Sequence, residues 1–333
     1  MIIDLITLES PYLNSTMSVK KALILAAGFG TRMGEIGKIR PKVTWPIFEK
    51  TLLELQVLWA RKLEIEDIYI NLHYQNEEIL NLYKENPIFK NVCWLYEPTI
   101  LDVGGAIHNL ARQPENDYQG KVLILNADLF LDLDLGELNT YSKKLETHSC
   151  LLFTEKVKSD SGYNGLDLNS TNAVKGVIKN NQFPRDVEIT TYTGVSIINL
   201  SLLKPVGGVS SFFSSICHET QGSNTIVDKS KSEYWDFGTS NRYHSSMFKI
   251  LSQNSKSKFY QFLKSVGGID ENKIGHSKKN YHSPYDFQIN LSPWCRLPSN
   301  QMNVINLGGN KDLDFLKNDK QALIYQDIVQ EII

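Results

Sequence analysis

Apolar runs and helical periodicities alternate through the first 150 residues of the chain. Ala22 to Ala27 is an unbroken apolar run, long enough for a strand covered on both faces. Leu52, Leu53, Leu55, Val57, Leu58 and Leu63 then predict a helix over about Thr51 to Lys62. Asp67 to Leu72 reads as a strand, Glu77 to Lys84 as a helix and Val92 to Tyr96 as a short strand. Gly104 and Gly105 read as a loop, with a helix beginning at Ala106. Lys121 to Asn126 is a strongly apolar strand that ends at Ala127-Asp128, Leu135 to Leu145 is helical, and Cys150 to Thr154 is again a strand. This alternation predicts right-handed β-α-β crossovers and an α/β fold with a mainly parallel sheet flanked by helices.

The pattern changes after residue 155. Lys156 to Asn181 is polar and turn-rich and suggests short antiparallel strands. Thr191 to Asn199 returns as a strand, and Phe212 to Glu219 reads as a helix. Tyr234 to Thr239 is a strand end, followed by helices at Asn241 to Leu251 and Lys256 to Ser265. Gly267-Gly268 looks like a boundary. Beyond it the chain is polar, with weak strand signals at Asp286–Leu291 and Met302–Leu307 and an amphipathic helix pattern from Lys320 to Ile333. The expected organisation is an N-terminal extension over 1–19, a main domain over 20–252 and a small C-terminal extension over 253–333. The last has no hexapeptide repeat that would support a left-handed β-helix.

Composition narrows the partners more than the fold. In 333 residues, 41% are hydrophobic and 22% charged, and the net charge is −2. That is an ordinary soluble balance, with no overall field to draw nucleic acid or an anionic membrane, so neither is expected as a partner. No run approaches the ~18 apolar residues of a membrane span. The N-terminus lacks a basic n-region, and Asp4 and Glu9 interrupt its apolar residues, so no signal peptide is expected. Cys93, Cys150, Cys217 and Cys295 have no metal-ligand spacing and suit a reducing cytoplasm. A homo-oligomer is compatible with the sequence.

The chemistry gathers at strand ends. Ala22–Ala27 breaks into Gly28-Phe29-Gly30-Thr31-Arg32, and Pro41-Lys42 follows. Glycines after a buried strand expose backbone N–H groups at the carboxyl edge of a sheet, and two cations nearby suit a polyphosphate. The spacing is neither GxxxxGK[ST] nor GxGxxG. Asp128 and Asp236 each sit just past a strand, where a carboxylate can hold Mg2+ or cap the next turn or helix. Gly104-Gly105 is either a helix-entry turn or a surface for a flat base. Lys179 and Gly165 read equally as a surface lysine and a plain turn, and His73 as structural. No Ser/His/Asp arrangement and no Cys/His cluster is present.

Leu25-Ala26-Ala27-Gly28-Phe29-Gly30-Thr31-Arg32-Met33, with Pro41-Lys42 and Pro46, resembles the opening motif of the sugar-1-phosphate nucleotidyltransferases. Asn71-Leu72-His73-Tyr74, Leu101 to Ile107, Asn126-Ala127-Asp128, Thr193-Gly194 and Trp235 to Thr239 agree in order, so the resemblance covers about residues 20–250. It looks closest to the branch containing N-acetylmuramate-1-phosphate uridylyltransferase and mannose-1-phosphate guanylyltransferase. The resemblance implies a Rossmann-like nucleotidyltransferase fold, with a mixed, mainly parallel sheet, and Mg2+-dependent attack of a sugar 1-phosphate on a nucleoside triphosphate, giving a nucleotide sugar and pyrophosphate. It implies that Ala27, Gly28, Gly30, Thr31, Gly104 and Gly105 bind the nucleotide. Arg32, Lys42 and Lys179 would act on the phosphates, Gly165 and Thr193 would meet the sugar, and Asp128 and Asp236 would bind the metal. The chain departs from the family pattern at Ala127, at Ile178 and in Asp102-Val103-Gly104-Gly105-Ala106, where base and sugar would be recognised. Two other readings are a phosphocholine cytidylyltransferase and a non-catalytic, nucleotide-sugar-binding regulatory protein.

Overall fold

The computed structural model describes residues 19–218, 222–270, 274–276, 287–291, 304–309, 321–326 and 328–332. The N-terminal extension expected over 1–19 lies, but for residue 19, outside them.

Among the described residues a seven-stranded sheet forms the centre. Its strands are β1 (Lys21–Leu25), β2 (Asp67–Leu72), β3 (Val92–Tyr96), β4 (Lys121–Asn126), β5 (Cys150–Lys158), β6 (Glu188–Asn199) and β7 (Asn224–Asp228), in the spatial order β7-β5-β6-β4-β1-β2-β3. Neighbours run parallel except at β6, which is antiparallel to both β4 and β5. The expected mainly parallel α/β sheet is therefore what forms.

Side chains that alternate along each strand divide between two apolar layers. Ala22, Ile24, Leu123, Leu125, Ile197, Leu151 and Phe153 point to one, with the helices Leu52–Lys62 and Ser240–Gln253. Leu23, Val122, Ile124, Ile198 and Leu152 point to the other, under the helix Asp102–Ala111 and the short helix Phe212–Ser215. Both faces are covered, which is why these strands read as continuous apolar runs. Helix starts follow their capping residues. Thr51 and Glu54 form a reciprocal capping box at the first of these helices, and Thr239 caps Ser240–Gln253.

The main core continues past residue 252. Phe259, Phe262 and Leu263 of the helix Lys258–Ser265 are buried in it, with Phe262 against Trp59 and Phe259 against Phe130 at ring separations of 4.8 Å.

The end of the chain differs from its sequence pattern. Lys320 to Ile333 predicts an amphipathic helix, yet its described residues are strands. A five-stranded sheet joins β8 (Ile274–His276), β9 (Phe287–Asn290), β10 (Val304–Gly309), β11 (Ala322–Gln326) and β12 (Ile328–Glu331) in chain order. β11 pairs β10 in parallel and β12 antiparallel, with Leu323 opposite Gln330. Leu323 faces the main core, whereas Ala322 and Ile324 pack with Val304 on the opposite face. A strand buried on both faces has consecutive apolar residues, and in so short a window that pattern mimics a helix. This sheet touches the helix Gly34–Ile39. The Gln330 side chain accepts the Ile36 N–H at 3.2 Å and lies over Gly34, while Arg40 donates to the Leu307 carbonyl at 3.3 Å and stacks on Tyr325.

Candidate functional site: two cavities that meet at a pair of carboxylates

β1, β2 and β4 are parallel neighbours, so their carboxyl ends open on the same edge. Leu25 lies opposite Asn71 on one side and Asn126 on the other. After Leu25 the chain turns through Gly28-Phe29-Gly30. Gly30 is left-handed, φ 65°, and its carbonyl accepts the Met33 N–H at 2.9 Å, which winds Thr31–Met33 into a turn. A Cβ on Gly30 would lie 3.4 Å from Lys42 Cβ, so the glycine loop and Lys42 are packed side by side. Ala27, Gly28, Gly30, Thr31, Arg32 and Lys42 line a cavity of about 370 Å3 at this edge.

A buried polar network forms its far wall. Asn71 accepts the Ala26 N–H at 2.8 Å and donates to Glu97 at 2.8 Å. Glu97 also accepts the Leu101 N–H at 3.1 Å, and its backbone carbonyl accepts from His73 Nδ1 at 2.8 Å. Asn71 and Glu97 thus tie the ends of β1, β2 and β3 to the start of the helix Asp102–Ala111. Both border the cavity together with Asp102.

Two carboxylates meet at the inner end. Asp128 follows β4, and buried Gln56 donates to the carbonyls on either side of it, Asn126 at 3.3 Å and Leu129 at 2.6 Å. Asp236 is brought beside it by a small antiparallel ladder of Leu129–Leu131 with Tyr234–Asp236, extended by the Phe237 N–H to the Asp128 carbonyl at 2.9 Å. The two side chains converge on Gly238. A Cβ there would stand 2.7 Å from Asp236 Oδ1 and 3.3 Å from Asp128 Oδ2, which leaves glycine as the residue that fits.

Each carboxylate is paired with a cation. Lys42 Nζ donates to Asp128 and, at 3.1 Å, to the Gly238 carbonyl. Asp236 Oδ2 accepts from Arg242 at 2.9 Å and from Tyr163 at 2.5 Å, and Oδ1 accepts the Gly238 N–H. The Arg242 guanidinium lies 3.9 Å over the Tyr163 ring and also donates to the Ser161 carbonyl at 3.1 Å. Burial, and then the neighbouring Asp236 carboxylate, push the Tyr163 hydroxyl well above its ordinary pKa, so it stays protonated and donates. Two carboxylates beside an open cavity are the protein donors Mg2+ takes when phosphate oxygens and water complete its shell. Among the described residues no group of three or more His, Cys, Asp or Glu could hold a metal ion.

A second cavity of about 250 Å3 opens on the other side of the carboxylates. It is built from Tyr163, Asn164, Thr191, Tyr192, Tyr234 and Arg242. It shares Arg32, Asn126, Asp128 and Gly238 with the first, so the two form one continuous cleft.

The sequence-selected residues divide accordingly. Ala27, Gly28, Gly30, Thr31, Arg32, Lys42 and Asp128 line the first cavity, while Asp236 lines the second. Gly104 and Gly105 do neither. They lie inside the helix Asp102–Ala111, not in a loop. A Cβ on Gly104 would sit 2.2 Å from Ser215 Oγ and 2.5 Å from the Ser211 carbonyl, and one on Gly105 would sit 2.7 Å from the Gly208 carbonyl. Their smallness lets the 208–215 segment pack onto the helix, while Asp102 and Val103, one turn earlier, border the cavity. Gly165 lies in the hairpin Gly165–Leu168/Val174–Ile178 beneath the Phe183 ring. Thr193 is buried at the irregular register of β6 and donates to the Phe153 carbonyl at 2.9 Å. Lys179 is exposed just past the hairpin and lines neither cavity.

Sequence reasoning missed Asn71, Glu97, Tyr163 and Arg242. For Arg242 a signal exists. It stands in the first turn of a helix, where the dipole disfavours a cation, so an arginine there implies a nearby anion. The other three depend on partners distant in the chain.

A profile of the Nucleotidyl transferase family matches residues 21–253. The chain is 24% identical over 210 residues to the bifunctional protein GlmU of Methanococcus maripaludis, covering 63% of this chain and 46% of that protein. It is 30% identical over 125 residues to the D-glycero-alpha-D-manno-heptose 1-phosphate guanylyltransferase of Campylobacter jejuni, covering 38% and 55%. The chain thus spans about half the length of the curated relatives it matches. Among solved structures, HddC from Yersinia pseudotuberculosis shares the fold with a TM-score of 0.58 at 20% identity, over 70% of this chain and 100% of that one. UDP-glucose pyrophosphorylase complexed with UDP-glucose does so at 0.52 and 19%, over 71% and 100%. With the family profile spanning the whole sheet, both cavities and the carboxylate pair, the chain belongs to the Nucleotidyl transferase family.

Proposed function

We propose that the chain is a Mg2+-dependent sugar-1-phosphate nucleotidyltransferase, in which the acceptor phosphate attacks the α-phosphate of a nucleoside triphosphate and pyrophosphate leaves. One observation carries this reading. The two cavities join at Arg32, Asn126, Asp128 and Gly238, so a group held in each would meet its partner beside the Asp128 carboxylate. The names of the relatives, a heptose 1-phosphate guanylyltransferase among them, support a sugar phosphate as the acceptor.

The first cavity takes the triphosphate, with backbone N–H groups of the glycine loop and the Thr31 hydroxyl toward its oxygens. Reaction of this kind needs in-line placement and charge neutralisation more than covalent help. Arg32, at the junction, offsets charge on the leaving pyrophosphate. Lys42, fixed between Asp128 and the Gly238 carbonyl, holds a cation beside the phosphorus under attack. Asp128 and Asp236 would hold Mg2+, which when bound supplies further neutralisation of the phosphate oxygens. No helix of the described residues is long and apolar enough to cross a membrane.

The aromatic lining of the second cavity gives a phosphocholine acceptor some support, because aromatic faces hold quaternary ammonium groups. The two arginines and two carboxylates of that lining, Arg32, Arg242, Asp128 and Asp236, balance in charge, so it is the names of the relatives that favour the sugar phosphate.

The test is pyrophosphate release by the full chain with Mg2+. ATP, CTP, GTP, UTP and dTTP are each offered with hexose, heptose and N-acetylamino-sugar 1-phosphates and with phosphocholine. Turnover with at least one sugar 1-phosphate is expected. Silence across the whole panel overturns the proposal, and consumption of CTP with phosphocholine alone replaces the acceptor. Tight nucleotide-sugar binding without turnover, unchanged in Asp128→Asn, points instead to a regulatory binding protein.

A further inference from the structure

We propose that Arg242, not Lys179, is the residue that binds the acceptor's phosphate; the assignment rests on the second cavity being the acceptor site. Four charged side chains line that cavity: Arg32, Asp128, Asp236 and Arg242. Two are carboxylates and repel an anionic acceptor. Of the two cations, Arg32 also lines the first cavity and is needed there for the triphosphate. Lys179 is exposed, past the end of its hairpin, and outside the lining. Arg242 is the cation of this lining that the first cavity does not share.

Its geometry suits the task. The guanidinium is held flat on Tyr163 at 3.9 Å, with one nitrogen on Asp236 at 2.9 Å and another on the Ser161 carbonyl at 3.1 Å. Three contacts fix its plane, so little side-chain entropy remains to be lost on binding. A guanidinium carries five N–H donors, and these two bonds leave donors over for an anion. The Tyr163 hydroxyl donates to the same Asp236 oxygen and keeps the carboxylate hydrogen-bonded when a donor of Arg242 turns to phosphate. The side chain is a quarter exposed and lines the cavity. A planar, pre-set fork fits the bidentate geometry of a phosphate monoester better than a flexible lysine at the rim.

The experiment titrates the full chain calorimetrically with inorganic phosphate, after the first cavity has been filled with a non-hydrolysable nucleoside triphosphate and Mg2+. Arg242→Gln keeps an N–H donor for Asp236 and removes the charge, and a thermal melt confirms that it folds. Its phosphate affinity is expected to fall by about tenfold or more, the loss of a charge-assisted hydrogen bond. Arg242→Lys should recover part of that loss, and Lys179→Ala should match wild type. Equal affinity in wild type and Arg242→Gln overturns the proposal, as does a loss confined to Lys179→Ala. Turnover separates this from the functional reading. A wild-type chain that binds phosphate through Arg242 but releases no pyrophosphate sinks the reaction and keeps the site. A chain that turns over with an unchanged acceptor KM in Arg242→Gln does the reverse.

Discussion

The two cavities share a floor but are built in different ways. The first lies across the carboxyl ends of parallel strands, and part of its wall is the nearly bare backbone of Ala27, Gly28 and Gly30, beside the side chains of Arg32, Lys42, Asn71 and Glu97. The second is shaped by side chains, with Tyr163, Tyr192, Tyr234 and Arg242 drawn from a hairpin entry, an antiparallel strand and a helix start. A backbone wall follows from strand order and glycine placement. A side-chain-lined cavity follows from rotamers and ion pairs, and a single substitution can change its ligand without changing the fold.

The strongest break in this comparison is at the shared floor. Lys42→Ala should lower turnover by about 10²- to 10³-fold, as loss of a preorganised charge at a reacting centre does, while unfolding stays cooperative. A rate near wild type, measured by pyrophosphate release, would remove Lys42 from the chemistry. Gly104→Ala tests whether the helix glycines serve packing. The added methyl meets Ser215 Oγ and two backbone carbonyls, so urea unfolding should show a loss of about 1–3 kcal/mol with the triphosphate KM unchanged. A raised KM at unchanged stability would return Gly104 to the nucleotide.

The same helix has a pH-dependent contact. His108 is buried, its Nε2–H donates to the Ser215 carbonyl at 3.3 Å, and its Nδ1 accepts from the Tyr118 hydroxyl at 2.9 Å. Burial holds its pKa below the usual 6.5, and Arg112 adds to that, while the bond to Ser215 opposes. The unfolded chain therefore takes up this proton first, and the contribution of His108 is intact above about pH 6.5 and lost as pH falls below it. Urea midpoints compared between pH 7.5 and 5.5 should shift less in His108→Gln than in wild type.

The smallest expected effect lies furthest from the cavities. Gln330→Ala removes the acceptor of the Ile36 N–H and should cost about 0.5–1.5 kcal/mol in urea unfolding, with Gln330→Glu, which keeps an acceptor, recovering most of it. No change in Gln330→Ala would mean that the C-terminal sheet does not steady the helix after the glycine loop.

These contrasts follow what a linear pattern can carry. Six of the seven central strands and most of the main helices were legible, because burial on both sheet faces enforces apolar runs; the seventh, Asn224–Asp228, is a half-buried edge strand and carries no such run. The turn after Gly28 was legible because the residues that shape it are adjacent in the chain. Gly104 and Gly105 were misread because a glycine pair has the same appearance whether a base or another helix lies against it. The Ala322–Glu331 strands were misread because burial on both faces erases the alternation that marks a strand.

The sequence alone determined six of the central strands, the glycine turn and the positions of Asp128 and Asp236 at strand ends. Each follows from hydrophobic period, turn chemistry or a charge at a fixed offset, all properties of neighbours in the chain. The tertiary structure decided which charges face one another. Asp128 meets Lys42 across 86 positions, while Asp236, six residues before Arg242, shares that arginine with Tyr163 from 73 positions away. Ion pairing depends on distance in space, which the strand order β7-β5-β6-β4-β1-β2-β3 sets. No local pattern encodes that order, so the cation facing the second cavity could be identified only once the chain had folded.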